Sequence, residues 1–236
     1  MTKDEKIAKL GKEITDRATV LLGKDKITPE SPEYLGINSA LKYTAYKYDQ
    51  KMADDILDIC LTMKKRVPLT IEQLAKKNPQ FDREYLEKAM QAVSESGLVE
   101  FHWENLDGKN PNHEKRWVLD MFVPGSAEIM MINPEQSDMY PETADFFERM
   151  AYLPLAGITE MVPPGGAGIG MHVIPVEKAI PAESKSLPIE HLSHWLKKYE
   201  GHIGVSVCSC RKQQRIRGEG SGDVEGEWCI GVGDFA

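Results

Sequence analysis

The spacing of apolar residues near the start of the chain predicts two helices joined by a linker. Apolar residues recur every three or four positions from Ile7 to Leu21, which is the period of an amphipathic helix, so we predict a helix over residues 2–22. Gly23 is expected to end it. The stretch "KITPESPEYLG" carries two prolines and several turn residues. It is interpreted as a linker that leads into a second helix over residues 38–47.

The next stretch has the order helix, turn, helix and hairpin. An apolar helical stripe begins at Met52 and ends before "KKRVP". Thr70 starts "TIEQ", which fits a capping box, and Asp82 begins a longer helix that Gly97 is expected to stop. The segments "LVEFHWE" and "RWVLDMFV" then have strand propensity and are separated by a polar loop. This order resembles a winged helix-turn-helix.

The remaining part of the chain combines short helical and strand patterns. A helix is predicted at "ETADFFERMAYLP" and another at "SLPIEHLSHWLKKYEGH", and "MHVIPV" and "IGVSV" are predicted strands. The run "GGAGIG" lacks the preceding strand and following helix that a dinucleotide fingerprint requires, so it is interpreted as a turn.

These patterns together predict an α+β protein in three segments. Residues 1–48 form an N-terminal helical segment, and residues 49–125 form a winged-helix-like helical domain. Residues 126–236 form a small α+β cysteine-bearing domain, which we expect to be truncated at its C-terminus.

Composition and charge narrow the class of protein. Hydrophobic residues make up 41% and charged residues 28% of the chain, which is ordinary for a globular protein. The charged start and the lack of a long apolar run predict a cytoplasmic protein with no membrane partner. The formal net charge of −8 opposes binding to nucleic acid. The first turns of the helix after Asp82 agree, since they carry two positive and three negative charges.

The four cysteines are too few and too unevenly spaced for a secreted disulfide framework. Cys60 lies on an apolar helical stripe and is interpreted as a packing residue. Cys208, Cys210 and Cys229 all fall in the closing stretch "VCSCRKQQRIRGEGSGDVEGEWCIGVGDFA". A C-x-C pair is too tight for a zinc knuckle, but soft thiolates select iron–sulfur clusters, zinc or copper(I). The eighteen residues between Cys210 and Cys229 are predicted to form a loop that is long enough to return Cys229 to the same centre, although inert thiols or a strained disulfide remain alternatives.

Basic residues follow the C-x-C pair directly. Cationic neighbours stabilise thiolates and would partly offset the negative charge of a cysteine-ligated cluster. Arg211 and Arg215 are therefore the candidate cofactor-binding residues, within a run that also contains Lys212 and Arg217. Acidic residues later in the same stretch restore the charge balance, so this is not the pattern of a nucleic-acid patch.

The C-terminal part of the chain resembles a known family of oxidoreductases. "MHVIPVEKAIP", a helix, and then "IGVSVCSCRKQQRIRGEGSGDVEGEWCIGVGDFA" are similar to the N-terminal region of multidomain [4Fe–4S], FAD-dependent pyridine nucleotide-disulfide-type oxidoreductases of anaerobic prokaryotes. The resemblance implies that Cys208, Cys210 and Cys229 ligate a [4Fe–4S] cluster. The sequence has no further cysteine nearby, no ferredoxin C-x-x-C-x-x-C run and no Rossmann fingerprint. FAD and NAD(P) would therefore be cofactors only if the natural chain continues, and the fourth cluster ligand would come from elsewhere.

Our first expectation is an N-terminal module of an iron–sulfur oxidoreductase, which passes electrons and is not catalytic by itself. Its partner would be a redox protein or further domains of a longer chain. The second is a redox- or metal-sensing winged-helix regulator that binds DNA. The third is a structural zinc protein, in which three cysteines are joined by a histidine or by Asp234.

Overall fold

The computed structural model describes residues 1–15, 26–103, 115–119, 125–149, 192–220 and 228–232. The contacts between Cα atoms divide the chain into two compact units. Unit 1 comprises Met1–Leu155 and Ser209–Ser221, and unit 2 comprises Ala156–Cys208 and Gly222–Ala236. The three segments expected from the sequence stay a prediction.

The described residues form a mixed α and β structure, as expected for the α+β class, with two separate two-stranded antiparallel sheets. No helix within the described ranges is both long enough and apolar enough to cross a bilayer. The elements in chain order are α1 (Lys3–Thr15), α2 (Pro32–Lys47), α3 (Gln50–Cys60), α4 (Ile71–Lys77), α5 (Arg83–Glu95), β1 (Val99–Trp103), β2 (Lys115–Leu119), α6 (Ala127–Ile132), α7 (Pro134–Met139), α8 (Glu142–Phe147), α9 (Leu192–Lys198), β3 (Ile203–Val207), α10 (Ser209–Ile216) and β4 (Trp228–Val232).

Local capping signals set the ends of α4 and α5. The Thr70 hydroxyl accepts a hydrogen bond from the Gln73 backbone N–H, and the Gln73 side chain accepts one from the Thr70 backbone N–H, which confirms the capping box. The Asp82 carboxylate accepts a hydrogen bond from the Tyr85 N–H at the start of α5. Gly97 follows the end of α5 with φ of 78°, in the left-handed region that favours glycine.

The predicted linker before the second helix is wrong in its extent. Helix α2 begins at Pro32, several residues before the expected start, because proline is well tolerated in the first turn of a helix, where its missing N–H is not needed. Helix α1 is described as far as Thr15, so the rest of the predicted helix over residues 2–22 lies outside the described residues. The "GGAGIG" turn and the "MHVIPV" strand also lie outside them.

The predicted hairpin is present as β1 and β2. The strands pair antiparallel from Val99 opposite Leu119 to Trp103 opposite Lys115. A further antiparallel bridge joins Leu69, just before α4, to Trp117, and the two residues exchange both backbone hydrogen bonds at 2.9 Å. The segment between α3 and α4 therefore adds a third short extended piece to this sheet.

One continuous apolar core holds unit 1 together. It joins the buried faces of α1 to α6 and α8 to β1 and β2. Phe146 and Phe147 of α8 are among the largest fully buried side chains. Residues 127–139 form the short helices α6 and α7, which the sequence analysis did not predict.

Candidate metal centre

The predicted strand "IGVSV" exists as β3 and is preceded by a tight chain reversal after α9. Gly201 has φ of 85°, and the His202 N–H donates to the Tyr199 carbonyl at 2.8 Å. Strand β3 then pairs antiparallel with β4, which brings Ser206 directly opposite Cys229. The pairing of β4 with β3 thus places Cys229 close to the end of β3, and Cys208 is the next residue after that strand.

The two faces of the β3–β4 hairpin differ in chemistry because side chains alternate along each strand. One face is apolar: it contains the pairs Val205 with Ile230 and Val207 with Trp228. Val205 is 63% exposed and Trp228 is 57% exposed. The opposite face contains Gly204 paired with Gly231, and Ser206 paired with Cys229. We call this second set of four residues the small-residue face.

Cys229 therefore lies among residues that have small side chains or none. Its side chain is exposed, and the neighbouring positions on its face are two glycines and a serine. Such surroundings leave space above the sulfur and let the backbone come close to a bound group. Cys208, which is half-buried, is the first residue after β3. It stands two positions beyond Ser206, which is the interval that returns a strand to the same face.

Cys210 belongs to a helix rather than to a loop. The sequence analysis treated all residues between Cys210 and Cys229 as a loop, and this is wrong for the first part, where α10 extends to Ile216. Cys210 is half-buried, and it packs with Ile216 against the apolar core of unit 1. Gly218 follows the end of α10, and its φ of 71° is the left-handed conformation typical of the residues after a helix C-terminus.

The basic residues of this segment have different environments. Arg211 is exposed and Arg215 is half-exposed on α10. Lys212 is only 2% exposed, and its ammonium group lies 3.6 Å from a carboxylate oxygen of Asp138 on α7. Arg217 pairs with Asp145 of α8 and, at 2.9 Å, with Glu219. Lys212 and Arg217, which belong to the same basic run, thus lie beside carboxylates of unit 1 itself.

Cys60 differs from the three closing cysteines. It is fully buried in α3, and desolvation by burial raises the pKa of its thiol to about 12, so it stays protonated and inert at neutral pH. This agrees with its interpretation as a packing residue. All four cysteines are thiols rather than disulfides, so the alternative of a strained disulfide finds no support among them.

The three closing cysteines are divided between the two units. Cys208 and Cys229 belong to unit 2, and Cys210 belongs to unit 1. Among the described residues, no group of three or more His, Cys, Asp or Glu side chains is placed so that it could hold a metal ion. Their convergence on one metal centre therefore stays a prediction.

Comparison with known proteins adds no further assignment. No family model, curated protein or solved structure matches this chain. The function of the chain is therefore inferred from the chemistry of its own residues.

Proposed function

We propose that this protein is an iron–sulfur module that transfers electrons and that it holds a [4Fe–4S] cluster through Cys208, Cys210 and Cys229. The single observation that carries the proposal is the position of Cys229 on the small-residue face, opposite Ser206, which lies two residues before Cys208. Three thiols that are not in disulfides, two of them a single residue apart, form a soft donor set of the kind that such clusters use.

The glycines of the small-residue face suit a cluster better than they suit a packed core. A strand interior normally carries β-branched or aromatic side chains, and glycine there weakens the strand. Gly204 and Gly231 nevertheless face each other beside Cys229. A bulky inorganic group at Cys229 would need this space, and backbone N–H groups that donate to cluster sulfurs help to set its reduction potential.

Charge also supports the proposal. A [4Fe–4S] cluster with thiolate ligands is negatively charged, and nearby guanidinium groups would offset that charge. Arg211 and Arg215 follow the C-x-C pair closely in the chain and are at least partly accessible. We assign them this role, and we assign the fourth ligand to a group outside the three cysteines. The partner would be a redox protein, in a reducing compartment such as the cytoplasm, where thiols persist.

Structural zinc is the competing metal. Three thiolates and one nitrogen or oxygen ligand would suit it, and the C-x-C spacing is less usual for zinc than wider spacings are. Metal analysis separates the two. After anaerobic reconstitution with iron and sulfide, we expect iron and acid-labile sulfide in equal amounts, and serine at Cys208, Cys210 or Cys229 should lower both. Cys60→Ala is the matched control and should retain them. Stoichiometric zinc without sulfide would refute the cluster.

We also propose that the segment from α3 to β2 is a winged helix-turn-helix used to dock protein. Its order of helix, extended bridge, two helices and hairpin supports this, with Leu69 paired to Trp117 as the third extended piece. The same order favours a second candidate function, a redox-sensing regulator that binds DNA. The two candidates differ in the charge that the second helix of the pair, α5, presents to a partner.

The arginine at the start of α5 is paired with carboxylates. The Arg83 guanidinium lies 3.1 Å from Glu72 and 3.1 Å from Glu87, so its positive charge is already engaged by two carboxylates. A groove of about 420 Å³ beside it contains both of these carboxylates together with Lys115 and Trp117. The Lys115 ammonium lies 4.2 Å from the centre of the Trp117 ring, and burial lowers its pKa. A phosphate backbone meets little net positive charge here.

A gel-shift titration with random duplex DNA at several salt concentrations separates these candidates. The docking module should bind weakly, with little dependence on salt. Tight binding with a steep negative salt slope would instead establish the regulator.

A further inference from the structure

Helix α10 attaches to unit 1 through an unusually polar surface. The residues that point inward recur at helical spacing, and three of the five are polar: they are Ser209, Cys210, Lys212, Gln213 and Ile216. Gln213 is completely buried, and its amide donates to the Glu148 carboxylate at 2.6 Å. Helices normally dock through an apolar stripe, so the docking of α10 needs a separate explanation.

The buried lysine is costly unless it serves a purpose. Removing an ammonium group from water costs several kcal/mol, and a buried ion pair often stabilises a protein no more than apolar residues of the same volume would. The Lys212 side chain is 3% exposed, whereas its partner Asp138 is 65% exposed. This pair is therefore a poor source of stability. Polar contacts are directional, however, so this pair allows only one position of the helix. Apolar packing would allow several positions.

The contacts of Lys212 and Gln213 also fix the position of Cys210 on the same helix. Gln213 lies one helical turn after Cys210, so the two share a side of α10. The bond from Gln213 to Glu148 fixes the rotation of that side, and the contact from Lys212 to Asp138 fixes the adjacent side. A rotation of the helix about its axis would move the Cys210 sulfur either into the core or away from it.

We infer that Lys212 and Gln213 are positioning residues, which hold the Cys210 sulfur in the setting needed for metal ligation by anchoring α10 to Asp138 and Glu148. The role of this anchoring in metal ligation rests on the proposed function. The anchoring itself can be measured without metal. The basic residues of α10 therefore have two roles. Lys212 holds the helix in place, and Arg211 and Arg215 offset the charge of the cluster.

The test measures the alkylation rate of Cys210 in the metal-free full chain with Cys208→Ser and Cys229→Ser. Cys60 stays silent in this background because it is buried and its pKa is about 12. Lys212→Met and Asp138→Asn should each raise the Cys210 rate by about tenfold, as expected when local opening becomes easier. Glu84→Gln, an exposed carboxylate-to-amide change on α5, is the matched control and should leave the rate as it is. Because Asp138 is largely exposed, Asp138→Asn keeps the test valid if Lys212→Met does not fold.

A second control separates positioning from general stability. Gly97→Ala destabilises unit 1 at a position outside α10, so it shows how far a loss of stability alone raises the Cys210 rate. The inference holds if Lys212→Met raises the alkylation rate of Cys210 more than Gly97→Ala does, while it lowers Tm less than Gly97→Ala does. It is overturned if Gly97→Ala raises the rate as much, or if neither Lys212→Met nor Asp138→Asn changes it. Absence of iron and sulfide from the reconstituted parent chain would refute the cluster alone, since the alkylation rates would still decide the anchoring.

Discussion

Ser206 and Cys229 are directly opposite partners in the β3–β4 hairpin, and this register decides which face carries the cysteine. Because side chains alternate, a slip of one residue would move Cys229 to the face of Val205 and Val207 and would move Trp228 away from that face. The observed register instead gives it two glycines and a serine as neighbours. The hairpin therefore separates a surface suited to apolar contact from one suited to an inorganic group.

The space on the small-residue face can be filled by a larger side chain without destabilising the strand. Gly204→Val introduces a residue that strands favour, so the hairpin should persist, but its side chain would occupy the space beside Cys229. We expect iron and sulfide content to fall by more than half, as judged by metal analysis after reconstitution. Val205→Ile on the opposite face is the matched control and should retain full content. Equal content in both variants would contradict a cluster on this face.

The four thiols should differ widely in reactivity. Cys229 is exposed, whereas Cys60 is fully buried with a pKa raised to about 12. In the metal-free chain near pH 8, iodoacetamide should modify Cys229 at least about a hundredfold faster than Cys60, as measured by peptide mapping. In denaturant the two should react alike. Modification of Cys60 at the rate of Cys229 in the folded protein would disprove its burial.

Glu95 should make the stability of unit 1 depend on pH. Burial raises the pKa of this carboxyl, but hydrogen bonds from Lys47 and Tyr48 outweigh that effect, so the pKa lies below its ordinary value. A lowered folded pKa contributes stability above the unfolded pKa, and this stability is lost as pH falls through the folded pKa. Glu95→Gln should therefore unfold at lower urea than the parent at pH 7, and the gap should narrow progressively as the pH falls below the ordinary glutamate pKa of about 4.3. A gap that persists in acid would show that the loss is not electrostatic.

Two glycines with positive φ should respond differently to alanine. Gly97 has φ of 78°, and an added Cβ would lie 2.8 Å from the Met130 backbone nitrogen. Gly218 has φ of 71°, and an added Cβ would meet no atom within 4 Å. Gly218→Ala should cost about 1 kcal/mol for backbone strain alone. Gly97→Ala should cost about 3 kcal/mol, because the close contact adds to the strain. Urea unfolding measures both, and equal losses would refute the clash at Gly97.

Local signals predicted much of unit 1. The capping box at Thr70, the cap at Asp82 and the stop at Gly97 each depend on a few adjacent residues, so the sequence alone identifies them. The α2 boundary was misjudged because Pro32 was interpreted as a helix breaker, although proline is compatible with the first turn of a helix.

The candidate site depended on contacts that local patterns do not contain. The register that sets Ser206 against Cys229 joins segments that α10 and the residues after it separate in the chain, so spacing alone could not fix it. Helix α10 was missed because its inward residues, Lys212 and Gln213, are polar, and apolar periodicity is the usual signal for a buried helix face. The carboxylates of Asp138 and Glu148 that satisfy them lie far away in sequence.

The central claim is that Cys208, Cys210 and Cys229 bind one iron–sulfur cluster, and iron K-edge X-ray absorption tests it most directly. In the reconstituted full chain we predict a first shell of sulfur around iron and a second shell of neighbouring iron. Both should be lost when the three cysteines are changed to serine together, and Cys60→Ala should leave them intact. A first shell of nitrogen and oxygen alone, or an unaltered spectrum in the triple variant, would contradict the account.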